Sequence, residues 1–94
     1  MLGGNMDRTE VYRLIDGERA YQNAMEDKNG WQKKKAVGEW IVLIHHYTTE
    51  MDKAWAKNTG DTQALDVMRK IAGIAVHCME QNGAPPRQMP GGGA

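Results

Sequence analysis

The sequence predicts an all-α fold: a three-helix antiparallel domain with a long central helix, assembling as a homo-oligomer. Three observations lead there. Apolar residues recur three and four apart through three segments, Gly-containing breaks at Asn29-Gly30 and "NTGD" separate them, and no strand-like alternation is present.

Asp7 followed by Glu10 has the spacing of a capping box, which supplies acceptors to the first amides of a helix. From there Val11, Leu14, Ile15, Tyr21 and Met25 form an apolar stripe, interrupted by Glu18, and the helix is expected over about residues 8–27. A basic loop, "KNGWQKKKA", sets Trp31 among Lys28, Lys33, Lys34 and Lys35. The second helix is expected over 37–57, with Val37, Trp40, Ile44, Tyr47, Met51 and Ala54 on one face and Ile41, Leu43 and Trp55 widening it. At ~1.5 Å per residue it is about 30 Å long. Asp61 stands as the cap of a third helix over 62–81. That helix carries one stripe at Leu65, Met68, Ala72, Ala75 and Met79, and a second at Val67, Ile71, Ile74 and Cys78. A helix apolar on two sides is either central or meets another copy of the chain, and association is the favoured expectation. Gly83 is the expected stop. Residues 1–83 are thus expected as one domain, followed by a mobile Pro/Gly-rich tail over 84–94.

The bulk composition narrows the function classes. Twelve basic residues balance twelve acidic ones, so no global field draws the chain to DNA or to a membrane surface, and any phosphate binding must rest on local clusters. The single cysteine, Cys78, allows no intramolecular disulfide and suits a reducing interior. No apolar run approaches the ~18 residues of a membrane span, and "MLGGNMDR" lacks a hydrophobic signal core. A cytoplasmic protein is expected.

Four groups of residues bear on chemistry. In "HHYTTEMDKAW", His46 and Glu50 lie four apart and share a helix face, but a zinc site would need His77 and Cys78 to complete it; a solvated pair is the plainer reading, and no metal is expected. Cys78 and the adjacent His77 diverge by ~100° on a helix, so they do not form a nucleophile–base pair, and Cys78 reads as a small core residue. The lysines around Trp31 combine charge with a stacking surface, as nucleotides demand; the plainer alternative is a solvated loop with Trp31 folded into the core. Tyr12 and Arg13 lie near the positive end of the first helix, where anions are favoured. Arg69 and Lys70 interrupt the third helix and are either a cationic ring at a subunit boundary or a surface pair held by Asp66.

"GEWIVLIHHYTTEMDKAW" followed by "MRKIAGIAVHCMEQNGAPPR" resembles the second and third helices of MazG-like nucleotide pyrophosphohydrolases, which hold magnesium on acidic residues of those helices. In that frame the acidic triplet falls on His46, Tyr47 and Glu50, of which only Glu50 is a carboxylate, and the acidic position of the third helix falls near Val67. Magnesium needs several hard oxygen ligands, which an imidazole and a phenol replace poorly. From "YRLIDGERAYQNAM" through "HCMEQNGAPPR" the chain also resembles the phage anti-CBASS sponges (the second anti-CBASS family), on general likeness rather than a short motif. That resemblance implies a homohexamer that sequesters cyclic oligonucleotides, including cGAMP, in the infected bacterial cytoplasm without cutting them, with no cofactor and no catalytic residue. It implies cyclic-dinucleotide pockets between paired protomers, with Tyr12 and Lys28 as counterparts; the register at the N-terminus leaves Arg13 as an alternative to Tyr12. It further implies cyclic-trinucleotide pockets at three-fold junctions, with Arg69 and Arg8 as candidates.

Three functions compete: the sponge, a divergent magnesium-dependent pyrophosphohydrolase using Glu50, Asp52 and Asp66, and a helical protein-binding module. The sponge is compatible with the residues, since a two-fold interface presents each aromatic and each cation twice to a nearly two-fold ligand. Stacking contributes about 1–3 kcal/mol per base, and charge-assisted phosphate contacts add to it.

Overall fold

Local chemistry at the helix ends sets the frame. The computed structural model describes residues 4–29, 33–57 and 60–91, in which three helices form: α1 (Arg8–Asn29), α2 (Val37–Ala56) and α3 (Thr62–Asn82). α1 runs past its expected end because Asn29 Nδ2 donates to the Met25 carbonyl at 2.8 Å, occupying one of the acceptors a helix terminus leaves open. At its start the Asp7 carbonyl accepts from Val11 N–H at 3.0 Å, but Glu10 does not close the expected box; its carboxylate takes Arg13 instead, at 2.5 Å. α2 begins with the Glu39 carboxylate accepting from the Ala36 amide at 2.7 Å. Asp61 stands at the head of α3 without a side-chain cap bond; only its carbonyl serves, accepting from Leu65 N–H at 2.9 Å. Gly83 ends α3 at φ 85°, a conformation open to glycine, and donates its N–H to Met79 at 2.7 Å.

The three helices are nearly equal in length, and the central one is α3, not α2. α3 touches both α1 and α2, which do not touch each other among the described residues. It therefore lies between the other two, although its apolar faces are only partly covered within one chain. α2 and α3 form an antiparallel pair: Trp40 near the start of α2 bonds Gln81 near the end of α3, while Lys57 and Gln63 share a cleft at the other end. Glu18, Gln22 and Glu26 of α1 meet Arg69, Gly73 and His77 of α3 in step, so α1 and α3 run in the same direction where they touch, both opposite to α2, while Arg19 reaches further along α3 to Glu80. The two helices approach at Gly73, where an added Cβ would lie 2.7 Å from Glu18 Cγ and 2.8 Å from Gln22 Nε2.

The core is small. Trp40 (2% exposed), Ile74 and Ala64 are its buried apolar residues. The stripe expected to bury α1 does not do so: Val11, Leu14 and Tyr21 are exposed, and Glu18 and Arg19 are buried in their place. The interruption in the apolar pattern marks the contact face, because α1 meets α3 through ion pairs around a glycine. Arg19 donates through Nε and Nη2 to the two oxygens of Glu80, each at 2.8 Å, and through Nη2 to Asn23 at 2.9 Å. Arg69 Nε donates to Glu18 at 3.0 Å and its Nη2 to Asp66 at 2.6 Å. Among the described residues no buried side-chain polar atom lacks a partner, as a contact built from charges requires. On α3, Leu65, Met68 and Met79 of the first stripe remain exposed. No described helix is long and apolar enough to cross a membrane.

Candidate functional site

α1 carries the first candidates. Tyr12 is 63% exposed and Lys28 lies exposed in the last turn; neither has a polar or ring partner among the described residues. At 3.6 residues per turn they stand about 24 Å apart along α1 and about 160° apart around it. One chain therefore offers them to different sides. Tyr21, expected on the buried stripe of α1, is 60% exposed and lies two turns before Lys28 on the same flank, about 10 Å away along the axis. The seven-residue spacing was the signal for that pairing. Arg13, the alternative to Tyr12, is held by Glu10. Arg8 is exposed at the head of α1.

Arg69 is differently placed. Its side chain is 38% exposed, and its guanidinium bridges Glu18 and Asp66, with Lys70 Nζ 3.7 Å from the same Asp66. The carboxylates hold the guanidinium still and keep its pKa above the usual range, chiefly through the hydrogen bond that Arg69 donates to Glu18. An anion reaching Arg69 meets a fixed planar donor.

The face singled out in "HHYTTEMDKAW" resolves into a cleft between the second half of α2 and the first half of α3. It has a volume of about 310 Å³ and is lined by Tyr47, Glu50, Lys53, Lys57, Asp66 and Lys70, among others. Glu50 is paired with Lys53 at 3.3 Å, and Asp66 serves Arg69 and Lys70. Three lysines against two carboxylates give the cleft a positive balance. His46 sits outside it, edge-on to Tyr47 at 5.0 Å between ring centroids, and Asp52 does not line it. Among the described residues no three His, Cys, Asp or Glu side chains come together as a metal site, so His46, Glu50, His77 and Cys78, the set a zinc site would have needed, are not grouped.

His77 instead belongs to the core. Its ring lies 4.7 Å from that of Trp40, and Nδ1 is 3.1 Å from Glu26. Cys78 is half-buried, with Asn82 Nδ2 3.9 Å from its sulfur. Of the basic loop, Lys33 and Lys34 are exposed and Lys35 Nζ stands 4.9 Å over the Trp40 ring, a cation–π contact. Trp31 lies outside the described residues.

Burial pushes the His77 pKa below its ordinary value, and the Arg19 charge adds to that; Glu26 and Glu80 oppose it without prevailing. Since the folded pKa lies under the unfolded value of ~6.5, the unfolded chain takes up the proton first as the pH falls. The stability contributed is whole above about pH 6.5 and diminishes as the pH drops from there through the folded pKa. The urea midpoint is expected to fall between pH 7.5 and 5.5, and His77→Gln is expected to flatten that slope. An unchanged slope would mean that another group titrates.

Compared with known proteins, the chain matches no family model, no curated protein and no solved structure.

Proposed function

We propose that this chain is a binding protein that sequesters cyclic oligonucleotide second messengers intact, acting as a phage immune-evasion sponge of the anti-CBASS kind in the infected bacterial cytoplasm. The observation that carries this reading is the pair Tyr12 and Lys28: an uncovered aromatic and an uncovered cation, without partners among the described residues, on opposite sides of one helix. A ligand shared by both takes them from different copies of the chain, which suits a pocket between protomers. Two aromatic rings stack two bases, and two ammonium groups face two phosphates. Tyr21, on the Lys28 flank, is a second aromatic within reach of the same ligand. Arg69, held flat by Glu18 and Asp66, is the proposed contact for cyclic trinucleotides, with Arg8 beside it in role. Such binding needs no nucleophile and no cofactor.

Calorimetry against a panel of cyclic di- and trinucleotides tests this, with mass spectrometry of the ligand recovered after denaturation. Intact ligand is expected. Tyr12→Ala and Lys28→Ala are each expected to weaken cyclic-dinucleotide binding by about ten- to a hundredfold, on the scale of one lost stack or charged contact. Both residues are exposed, so helicity by circular dichroism is expected to be unchanged. Silence across the whole panel would refute the sponge and leave a protein-binding module.

One observation favours a second reading. Glu50 and Asp66 line the same cleft, as the carboxylates of a MazG-like pyrophosphohydrolase would. That reading requires magnesium-dependent release of pyrophosphate from a nucleoside triphosphate, abolished by Glu50→Gln. The lysines paired with both carboxylates weigh against it, since they compete with the metal for the same oxygens.

A further inference from the structure

α1 is fastened to the rest of the chain by different forces from those that join α2 to α3. None of the buried apolar residues, Trp40, Ala64 and Ile74, lies on α1, and of its own apolar residues only Ile15 and Met25 are half-buried while the others are exposed. Among the described helices it meets α3 alone. Charged and amide groups span that contact. Arg19 donates twice to Glu80 at 2.8 Å, Arg69 donates to Glu18 at 3.0 Å, His77 Nδ1 lies 3.1 Å from Glu26, and Gln22 Nε2 donates to the Lys70 carbonyl at 3.4 Å. The α2–α3 pair instead closes over Trp40 and Ile74.

We infer that α1 is an ionic latch: an arm that leaves α3 as a unit in acid or at high salt, while α2 and α3 stay paired. Ion pairs withdrawn from water gain little net, because the lost hydration offsets the attraction, so a contact made of them is weak for its size. Salt weakens it further, since the screening length falls to ~3 Å at 1 M, whereas apolar burial is not screened. Elements with few buried apolar contacts open at lower free energy than the core they rest on.

Acid acts on the same groups in the same direction. His77 faces Arg19 and Glu26 of α1, Glu80 of its own helix and Lys35 ahead of α2. A proton gained there, from about pH 6.5 downward, stands beside the Arg19 charge. Glu80 faces Arg19 and His77, and the Arg19 hydrogen bond holds its carboxyl below the usual range. Its contribution is present above the ordinary carboxylate value and is lost as the pH falls through the folded one. Arg19 and Arg69 keep their protons throughout, so the latch loses acceptors and gains a repelling charge. Tyr12 and Lys28 ride on α1, and its docking sets where both stand relative to α2 and α3. The latch itself stands whether or not the chain binds cyclic nucleotides.

Native-state hydrogen exchange of the full chain, corrected for intrinsic rates, tests it. The interior amides of α1, over residues 14–25, are expected to exchange about a hundredfold faster than those around Ile74. Raising sodium chloride from about 0.05 to about 1 M is expected to speed the α1 amides about tenfold and to leave those around Ile74 within about twofold. Lowering the pH from about 7.5 to about 5 is expected to do the same. Gly73→Ala opens the latch from the other helix: its Cβ would meet Glu18 Cγ at 2.7 Å, while alanine favours α3 itself. That variant is expected to speed α1 exchange at least about tenfold with Trp40 fluorescence unchanged, which fraying of α1 alone would not produce. Exchange of the α1 amides in step with those around Ile74, salt or acid speeding both sets equally, or an unmoved α1 in a folded Gly73→Ala would each overturn the inference. Should Gly73→Ala fail to fold, the parent measurements decide.

Discussion

Replacing Trp40 with alanine is expected to cost about 3–5 kcal/mol, the range for removing a buried aromatic from a core. Small domains have ~0.05–0.15 kcal/mol of stability per residue, so the loss is a large part of the whole. Trp40 is the most buried large residue described, and three different contacts meet on it. Its ring packs on His77, Lys35 Nζ stands over its face, and its Nε1–H donates to Gln81 at 3.2 Å. The same Gln81 oxygen accepts the Lys35 amide at 2.9 Å, so the indole and the segment leading into α2 share one acceptor at the end of α3. Trp40→Phe keeps the ring and loses the donor, and is expected to cost about 1 kcal/mol beyond the change in packing. Urea unfolding followed by circular dichroism measures both. A loss under 1 kcal/mol in the alanine variant would show that the α2–α3 pair is held elsewhere.

The contrast between α2 and α1 shows which parts of the fold are readable from sequence. Trp40 lies on a stripe whose period matches its helix, and its burial follows from that pattern. The ends of the helices were legible in part: Gly83 stops α3 as expected, but Asn29 extends α1 instead of ending it, and neither Glu10 nor Asp61 forms the expected side-chain cap. α1 was legible as a helix and illegible as a contact. Its apolar residues imply a buried stripe, but the residues that meet α3 are Glu18, Arg19 and Gln22. Ion pairs between residues some fifty or sixty positions apart have no period, and a carboxylate that will be buried looks like one that will be solvated. The glycine that makes room for them, Gly73, lies inside an apolar stretch with nothing local to mark it. The candidate site follows the same division. The exposure of Tyr12 and Lys28 at the two ends of α1 was within reach of sequence reasoning, whereas the lysines of the α2–α3 cleft gather only through the antiparallel packing of the two helices.

Arg69 links stability to the proposed ligand contact, and its replacement is expected to affect both. Arg69→Ala removes the guanidinium from Glu18, whose side chain is only 7% exposed, and leaves Gln22 Nε2, at 3.2 Å, as the remaining donor to that carboxylate. A buried acceptor stripped of its charged partner costs about 1–3 kcal/mol, and the expected loss lies toward the upper end because the acceptor is ionised. A fall in trinucleotide binding by this variant alone would therefore mix a missing contact with a loosened α1. The double variant Glu18→Gln with Arg69→Ala separates them. It removes the buried charge together with its partner, and is expected to recover at least half of the lost stability while leaving trinucleotide binding as weak as in Arg69→Ala. Recovery of binding along with stability would show that Arg69 acts only by holding α1 on α3. The comparison is sharpest at about pH 8, well above the unfolded histidine value of ~6.5, where His77 is essentially neutral in both folded and unfolded chains.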